Sequence, residues 1–360
     1  MKLVASRALI NGQLESNVCI ESTDGIISAI EVNSALPTTI SGVVLPGFVD
    51  IHTHGGGGYY FSALKPEEIS AAIDTHHAHG TTSMLASLVT EPLENLLKQI
   101  EALAPFVDKS CIKGIHLEGP YLAHSHCGAH DPALLRTPDI AELEQLISAS
   151  KNSIRMVTIA PELDGAVPVI EFLCNKGIVV ALGHSGADAV KTKAAIKAGA
   201  AVTTHFNNGM PKLDSGENIS SASLNNSGVA LELILDGVHI NSVDCQRILD
   251  AAPHRIVAIT DAMSAAGSID GDYTIGKLGV RVQDGIARLT SNGALAGSTL
   301  TMDRAFLNLV NNFGFSIADA SHATSTLPAK IIGLTESGSI EVGKRTELIE
   351  FGTDETINLI

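Results

Sequence analysis

A pattern of strand, loop and helix repeats along most of the chain and constrains the fold more than any other feature. Each unit opens with a short apolar run, which is typical of a strand buried on both faces. Eight such units in one chain predict an α/β fold with a (β/α)8 TIM-type barrel. The predicted strands are Phe48–His52, Ser83–Leu88, Ile112–Leu117, Met156–Ala160, Val179–Leu182, Val202–His205, Leu231–Leu235 and Ile256–Thr260.

The segments between these strands favour helices. In 66–78 a proline stands at the start, two glutamates occupy the first turn, and Gly80 follows as a stop signal. Segments 140–149 and 187–198 are interpreted in the same way. Three histidines near the end of the first helix, His76, His77 and His79, are interpreted as favourable partners of the helix dipole.

The two ends of the chain predict a second, smaller domain. Asn-Gly at 11–12 and Asp-Gly at 24–25 each separate apolar runs, and both dipeptides favour two-residue hairpin turns in a small antiparallel sheet. Strand-like sequence returns at 338–344 and 348–351. We therefore expect residues 1–45 and 336–360 to form a small β-sandwich-like domain. The barrel would occupy residues 46–335, with a β-hairpin insert near 272–290, where Asp-Gly recurs at 284–285.

Composition excludes several classes of function. The net charge of −16 disfavours nucleic acids and anionic membranes as partners. The five cysteines are scattered without a Cys-x-x-Cys pair, which favours a reducing compartment over a disulfide framework. No signal peptide and no apolar run of membrane length is evident, so we expect a cytoplasmic protein.

Two histidines follow the first predicted barrel strand, with one residue between them. Side chains alternate along a strand, so His52 and His54 project to the same side and form half of a site for a divalent metal. A run of four glycines begins at Gly55 and lets the backbone turn away from the pair. The alternative interpretation is two ordinary histidines at a polar strand end.

Other polar residues occur at or just after predicted strand ends. The carboxyl ends of all parallel barrel strands meet on one face, so we expect these side chains to lie together. Four of the histidines (52, 54, 184 and 205) and Glu118 are a ligand set for one or two divalent ions, which leaves Asp261 as a general base. Singly, each has an ordinary explanation, such as a helix N-cap for the aspartate. The residues are His52, His54, Glu118, His184, His205, His239 and Asp261.

At these residues the chain resembles the N-acetylglucosamine-6-phosphate deacetylases of the amidohydrolase superfamily, along nearly its whole length. His-x-His is typical of the whole superfamily. His-Leu-Glu-Gly-Pro at 116–120, followed by Gly-Ala-His at 128–130, is typical of the deacetylases. The other matching segments are 46–55, 183–185, 205–210, 236–239, 260–263 and 295–302.

The resemblance implies a metal-dependent homodimer that hydrolyses the acetamide of N-acetyl-D-glucosamine 6-phosphate, giving glucosamine 6-phosphate and acetate in amino-sugar catabolism or cell-wall recycling. It implies one or two ions per chain, preferably Zn²⁺ with Fe²⁺ as the alternative. The implied roles are the principal metal for Glu118, His184 and His205, a second metal for His52 and His54, acid/base transfer for Asp261, contact with the sugar and amide carbonyl for His130, and proximity to the sugar phosphate for Asn207, Asn208 and His239.

Two departures from the family pattern concern the substrate. Relatives usually carry a phosphate-binding arginine after the Asn-x-Met element, whereas segment 212–219 has none. Lys212 is the only cation between Met210 and Leu235, so we predict that it contacts the phosphate as a point charge. The alternative is that backbone N–H groups and His239 hold the phosphate. Cys127 is the second departure, since relatives often have lysine there.

Other functions stay open on the sequence. One is N-acetylgalactosamine-6-phosphate deacetylation, and another is hydrolysis of an unphosphorylated N-acyl substrate. A cyclic amidase would usually bridge two metals with a carboxylated lysine after the fourth strand, where this chain has Ala-Pro-Glu at 160–162. Glu118 is therefore the expected bridge. A barrel that had lost catalysis would normally have lost metal ligands, and all five are present here.

Overall fold

The computed structural model describes all 360 residues. Strands and helices alternate through its central part, and strands alone make up both ends. The strands are β1 Lys2–Ile10, β2 Gln13–Thr23, β3 Ile26–Glu31, β4 Ile40–Pro46, β5 Phe48–Thr53, β6 Gly55–Gly56, β7 Tyr59–Tyr60, β8 Thr81–Leu88, β9 Ile112–Glu118, β10 Ile154–Ile159, β11 Val179–Leu182, β12 Val202–Thr203, β13 Ala230–Ile234, β14 Ile256–Ile259, β15 Gly271–Ile275, β16 Leu278–Gln283, β17 Ile286–Leu289, β18 Leu348–Phe351 and β19 Ile357–Leu359.

Most of the helices follow barrel strands, and the last three lie between β17 and β18 in the chain. None of them combines the length and the apolar character that crossing a bilayer requires. The α-helices are α1 Pro66–Ala78, α2 Leu93–Leu103, α3 Ile140–Ala149, α4 Ala166–Asn175, α5 Ala189–Lys197, α6 Ile219–Leu224, α7 Ser242–Ala251, α8 Met302–Phe313, α9 Ile317–Ser321 and α10 Leu327–Ile331.

The barrel is confirmed. One sheet of eight parallel strands runs in chain order from β5 through β8 to β14, and each strand overlaps one of the eight predicted. Its first and last strands come together at their carboxyl ends. There the Asp261 backbone N–H donates to the carbonyl of His52 (2.9 Å), and the Thr260 hydroxyl donates to the buried carboxylate of Asp50 (2.6 Å). These bonds join the two edges of the sheet and place both strand ends at one site.

Local sequence accounts for the helix positions. α1 and α3 have the predicted bounds, and Asp139 caps α3 by accepting from the backbone N–H of Ala141. α5 begins two residues later than predicted. Asp188 is its N-cap, because its carboxylate accepts from the backbone N–H of Lys191 (2.8 Å).

The ends of the chain share one six-stranded sheet, in the order β19-β18-β4-β1-β2-β3. Both predicted hairpins are present, and Asn11 and Gly12 have the positive φ values (51° and 75°) of the favoured turn. An antiparallel sheet was predicted, but the sheet is mixed. The chain returns after β3 to the free edge of β1, where β4 pairs with β1 in parallel. The domain borders themselves stay a prediction.

Two segments differ from expectation. Residues 338–344 were expected as a strand, but they make only an isolated bridge between Ile340 and Ile10. Gly338 and Gly343 have φ of 82° and 90°, which interrupts an extended backbone. The insert near 272–290 contains three strands, β15–β17, rather than one hairpin. Gly276-Lys277 provides a second two-residue connection before Asp284-Gly285.

Candidate metal centre and catalytic site

All six residues predicted to act at the metal meet at the carboxyl ends of the barrel strands. Two lie at the end of β5, one ends β9, and three stand just after β11, β12 and β14. All are buried. The set is His52, His54, Glu118, His184, His205 and Asp261.

Three of these residues have an unusual backbone. The backbone φ is 46° at His184, 27° at His205 and 47° at Asp261. These values lie in the left-handed region, which residues other than glycine rarely occupy. Each residue stands two residues after the end of its strand, where the chain turns sharply and the side chain faces the other donors of the site. Such strained residues persist only where surrounding contacts hold them. Here the backbone N–H of His205 donates to the buried carboxylate of Glu232 (3.1 Å).

The donor atoms form two groups, within each of which all atoms lie within 4.8 Å of one another. One group is His52, His54 and Asp261, and the other is Glu118, His184 and His205. Glu118 stands between them. Its Oε1 lies 3.1 Å from Nε2 of both His184 and His205, and its Oε2 lies 3.3 Å from Nε2 of His54. A carboxylate in this position could be shared by ions held in the two groups.

The hydrogen bonds of the histidines fit a divalent cation. Nδ1 of His184 lies 2.8 Å from the carbonyl of His126, and Nδ1 of His205 lies 3.2 Å from that of Asn208. A carbonyl only accepts, so each Nδ1 carries a proton and Nε2 is the nitrogen whose lone pair can bind a metal. These two Nε2 atoms face each other at 3.0 Å. Two lone pairs and a carboxylate at this separation repel unless a cation lies among them.

The carboxylates of the site are ionised. Burial raises the pKa of Glu118, but the imidazoles of His52 and His130 outweigh burial and hold that pKa well below its ordinary value. Burial likewise raises the pKa of Asp261, but the charge of His52 and the hydrogen bond of His54 lower it by a larger amount. The pKa of Asp261 is therefore about 2. Asp261 is therefore an anion across the physiological range and is able to accept a proton.

His130 has the opposite tautomer to the metal-facing histidines. Its Nδ1 accepts from the backbone N–H of Thr90 (3.3 Å), so the proton is on Nε2. That Nε2 lies 3.2 Å from Oε2 of Glu118. Burial lowers the pKa of His130, although the neighbouring carboxylate opposes this. His130 is therefore a neutral hydrogen-bond donor at the edge of the metal groups.

These groups open into a cavity of about 280 Å³. His239 and Asn208 lie on its wall with Gly209, and Nδ1 of His239 donates to Asp236 at 2.7 Å. The apolar wall includes Ile275 of β15 from the three-stranded insert. No lysine or arginine lines the cavity.

Two predicted substrate-binding residues do not line the cavity. The ammonium of Lys212 donates to the carbonyl of Asn207 (2.6 Å), and the side-chain oxygen of Asn207 accepts from the backbone N–H of Leu213 (3.2 Å). Half-burial lowers the pKa of Lys212. The two side chains therefore hold the 207–213 loop in shape, because their polar atoms are directed at its own backbone.

Several buried polar residues beneath the site were not predicted. Asp50, His116 and Glu232 are all 0% exposed, and each interrupts an apolar strand run, which is the signal that could have revealed it. For His76 the interpretation as a dipole partner is wrong. Burial lowers its pKa to about 4, and its Nε2 lies 2.8 Å from the carbonyl of Gly55. A neutral, buried ring supports the glycine loop rather than the helix dipole.

The family model of the amidohydrolases matches residues 43–358. An N-acetylgalactosamine-6-phosphate deacetylase from Escherichia coli O157:H7 is 37% identical over 336 residues, which cover 91% of this chain and 88% of the relative. An N-acetylglucosamine-6-phosphate deacetylase from Vibrio furnissii is 34% identical over 320 residues, covering 87% and 80%.

Solved structures agree in fold. An N-acetyl-D-glucosamine-6-phosphate deacetylase mutant from Mycobacterium smegmatis, in complex with N-acetyl-D-glucosamine-6-phosphate, superposes with a TM-score of 0.96 at 37% identity, covering 100% of this chain and 97% of that chain. The N-acetylglucosamine-6-phosphate deacetylase from Thermotoga maritima gives 0.92 at 31% identity, covering 100% and 98%.

Proposed function

Because this chain belongs to the amidohydrolase family, we propose that it deacetylates N-acetyl-D-glucosamine 6-phosphate, giving glucosamine 6-phosphate and acetate. The single observation that carries this proposal is the six-donor centre, five of whose residues line one cavity together with His130. A barrel without catalysis would not need to retain every one of these groups. The relatives and solved neighbours support the same reaction by the activities for which they are named.

We propose that the centre holds divalent ions, Zn²⁺ first and Fe²⁺ as the alternative. Glu118, His184 and His205 would hold the principal ion, and His52 and His54 a second, with Glu118 shared. Histidine and carboxylate donors suit both metals. Ions held by these residues would supply Lewis acidity for activating water and polarising the amide carbonyl.

The chain's own groups divide the proton transfers. Asp261 accepts a proton from the attacking water and returns it to the departing amine nitrogen. His130, whose proton is on Nε2, donates a hydrogen bond to the amide oxygen as negative charge develops there. Positioned proton transfer of this kind typically supplies about 10²- to 10⁴-fold in rate.

The phosphate end of the substrate would lie against His239 and Asn208. The cavity has no cation of its own, so these side chains and backbone N–H groups near Gly209 carry recognition within one chain. We assign Lys212 and Asn207 no contact with the substrate, because their polar atoms are directed at the backbone of their own loop. We also propose a homodimer, as the resemblance implies, in which the partner adds groups to this end of the cavity.

A cytoplasmic location is the accompanying proposal. All five cysteines are free in the structure, which suits a reducing compartment. Light scattering on the purified protein would test the dimer, and a monomer at micromolar concentration would contradict it.

Product analysis on a panel of N-acetyl sugars tests the proposed function. Acetate release should be fastest from N-acetylglucosamine 6-phosphate, slower from the galacto epimer, and slowest from unphosphorylated N-acetylglucosamine. The galacto epimer is the matched control, because the relative from Escherichia coli is named for it. Preference for an unphosphorylated sugar, or no release from any of the three with Zn²⁺ or Fe²⁺ added, would overturn the assignment.

A further inference from the structure

We infer that Glu232 on β13 is a positioning residue that sets the metal affinity of the centre from outside the ligand set. This inference rests on the proposed metal centre. Glu232 is the carboxylate buried behind the ligands, 0% exposed, in the apolar run of its strand. Neither catalysis nor the packing of the barrel requires a charge at that position.

Glu232 touches both metal groups at once. Its Oε2 lies 3.1 Å from Nδ1 of His52, which belongs to the first group. The same oxygen accepts from the backbone N–H of His205, in the second group, at 3.1 Å. His205 has the strained φ of 27°, so this bond also fixes the turn that aims its ring.

The contact with His52 decides which nitrogen faces the metal. A carboxylate accepts only, so Nδ1 of His52 carries a proton and Nε2 is the nitrogen that can bind a metal. A carboxylate partner makes the ligand more basic and fixes its orientation more firmly than a carbonyl does. His184 and His205 have carbonyl partners on Nδ1, and Nδ1 of His54 has no partner. His52 is therefore the one histidine of the four with a carboxylate behind it.

The carboxylate of Glu232 is only partly satisfied by hydrogen bonds. Its Oε1 is buried and has no hydrogen-bond partner. An isolated buried carboxylate is costly, and a nearby cation offsets that cost. Glu232 should therefore lower the stability of the apoprotein and raise the stability of the metal-bound protein. An ordinary structural residue would raise the stability of both forms, so the two roles can be told apart.

The test compares Glu232→Gln with wild type in two measurements: the Kd for Zn²⁺ by chelator competition, and the Tm of the chelator-treated apoprotein. We expect the Kd for Zn²⁺ to rise by about 10- to 100-fold, as is typical when a residue that hydrogen-bonds to a metal ligand is replaced. The apoprotein Tm should stay equal or rise. Thr203→Val is the matched control, since Thr203 is buried on the adjacent strand with an unpartnered hydroxyl and should leave the Kd unchanged.

Glu232→Asp is the second variant. It keeps the charge but withdraws the carboxylate by one methylene, so it too should weaken Zn²⁺ binding even if the glutamine variant folds poorly. A Kd within about twofold of wild type for both variants would overturn the inference, as would an apoprotein Tm that falls in the glutamine variant while its Kd is unchanged. Wild type that binds Zn²⁺ but releases no acetate would contradict the proposed function and leave this inference standing.

Discussion

At the scale of single residues, the site assigns different tasks to histidines through the partner of one ring nitrogen. An acceptor next to Nδ1 of His184 leaves the Nε2 lone pair for a metal, whereas a donor next to Nδ1 of His130 places the proton on Nε2. The same residue type is thus suited to bind a metal in one case and to donate a hydrogen bond in the other. Asp261 lies between these roles, since its carboxylate faces both the metal group and the cavity.

Asp261→Asn should abolish turnover and retain at least the ion held by Glu118, His184 and His205. The change keeps the shape of the side chain and removes the proton carrier. We expect kcat to fall by at least about 10²-fold, with a metal content of one equivalent or more by elemental analysis. Retention of more than a tenth of the wild-type kcat would argue against Asp261 as the acid/base group.

His239→Asn should lower kcat/KM for the phosphorylated substrate selectively. A hydrogen bond to a charged group is worth about 1.5–3 kcal/mol, or about 10- to 100-fold in kcat/KM. The value for N-acetylglucosamine should hardly change. Lys212→Ala is the matched control, because its ammonium is directed at the carbonyl of Asn207, and it should affect both substrates equally and weakly. A selective loss in the lysine variant instead would restore Lys212 as the phosphate contact.

At the scale of elements, α1 supports the loop that carries the first two ligands. His76 lies on its buried face, and its Nε2 contacts the carbonyl of Gly55 and the hydroxyl of Thr53. The ring packs tilted against Phe61, which follows β7. The helix thereby fixes the backbone on both sides of His54.

His76→Gln should flatten the dependence of stability on pH in mild acid. The native pKa is about 4 against an ordinary 6.5, so between these values the unfolded chain binds a proton that the native protein excludes. The free energy of unfolding therefore falls as pH is lowered through that window, by up to about 3 kcal/mol from this residue. Urea titrations of apoprotein at pH 7 and pH 4.5 would measure the difference, and parallel slopes for the two proteins would contradict it.

At the scale of the whole molecule, one face of the barrel collects charge that the fold alone does not balance. The chain has a net charge of −16, and its cavity has no lysine or arginine. Buried carboxylates and lone pairs meet at the centre, so bound cations should contribute to folding as well as to chemistry.

Metal removal should therefore lower the stability of the intact protein. Binding to the native state alone adds about 2.7 kcal/mol when the free ion is at 100 times its Kd. We expect chelation to lower Tm by several degrees and added Zn²⁺ to restore it in proportion to the logarithm of its concentration. Mg²⁺, which prefers oxygen ligands, is the control. A Tm that does not respond to chelator or to Zn²⁺ would contradict the centre.

The sequence by itself determined the barrel and the set of polar residues that meet at its carboxyl face. Apolar runs of strand length, helix signals and the polar residues at strand ends are local patterns, and parallel strands place their carboxyl ends together whatever the details of packing. Both hairpin turns near the N-terminus were equally local, because Asn-Gly and Asp-Gly have strong intrinsic preferences. The resemblance added the role expected of each residue at the site.

Only the tertiary structure decided which groups touch. Glu232 and His52 are 180 residues apart in the chain, and no local pattern relates them. Lys212 was the nearest cation in sequence, but its ammonium reaches a backbone carbonyl of its own loop instead of the cavity. The tautomer of His184 and the left-handed turn at His205 depend on partners from other elements. Hydrogen bonding and strain are set by neighbours in space, whereas strand and helix patterns are set by neighbours in sequence.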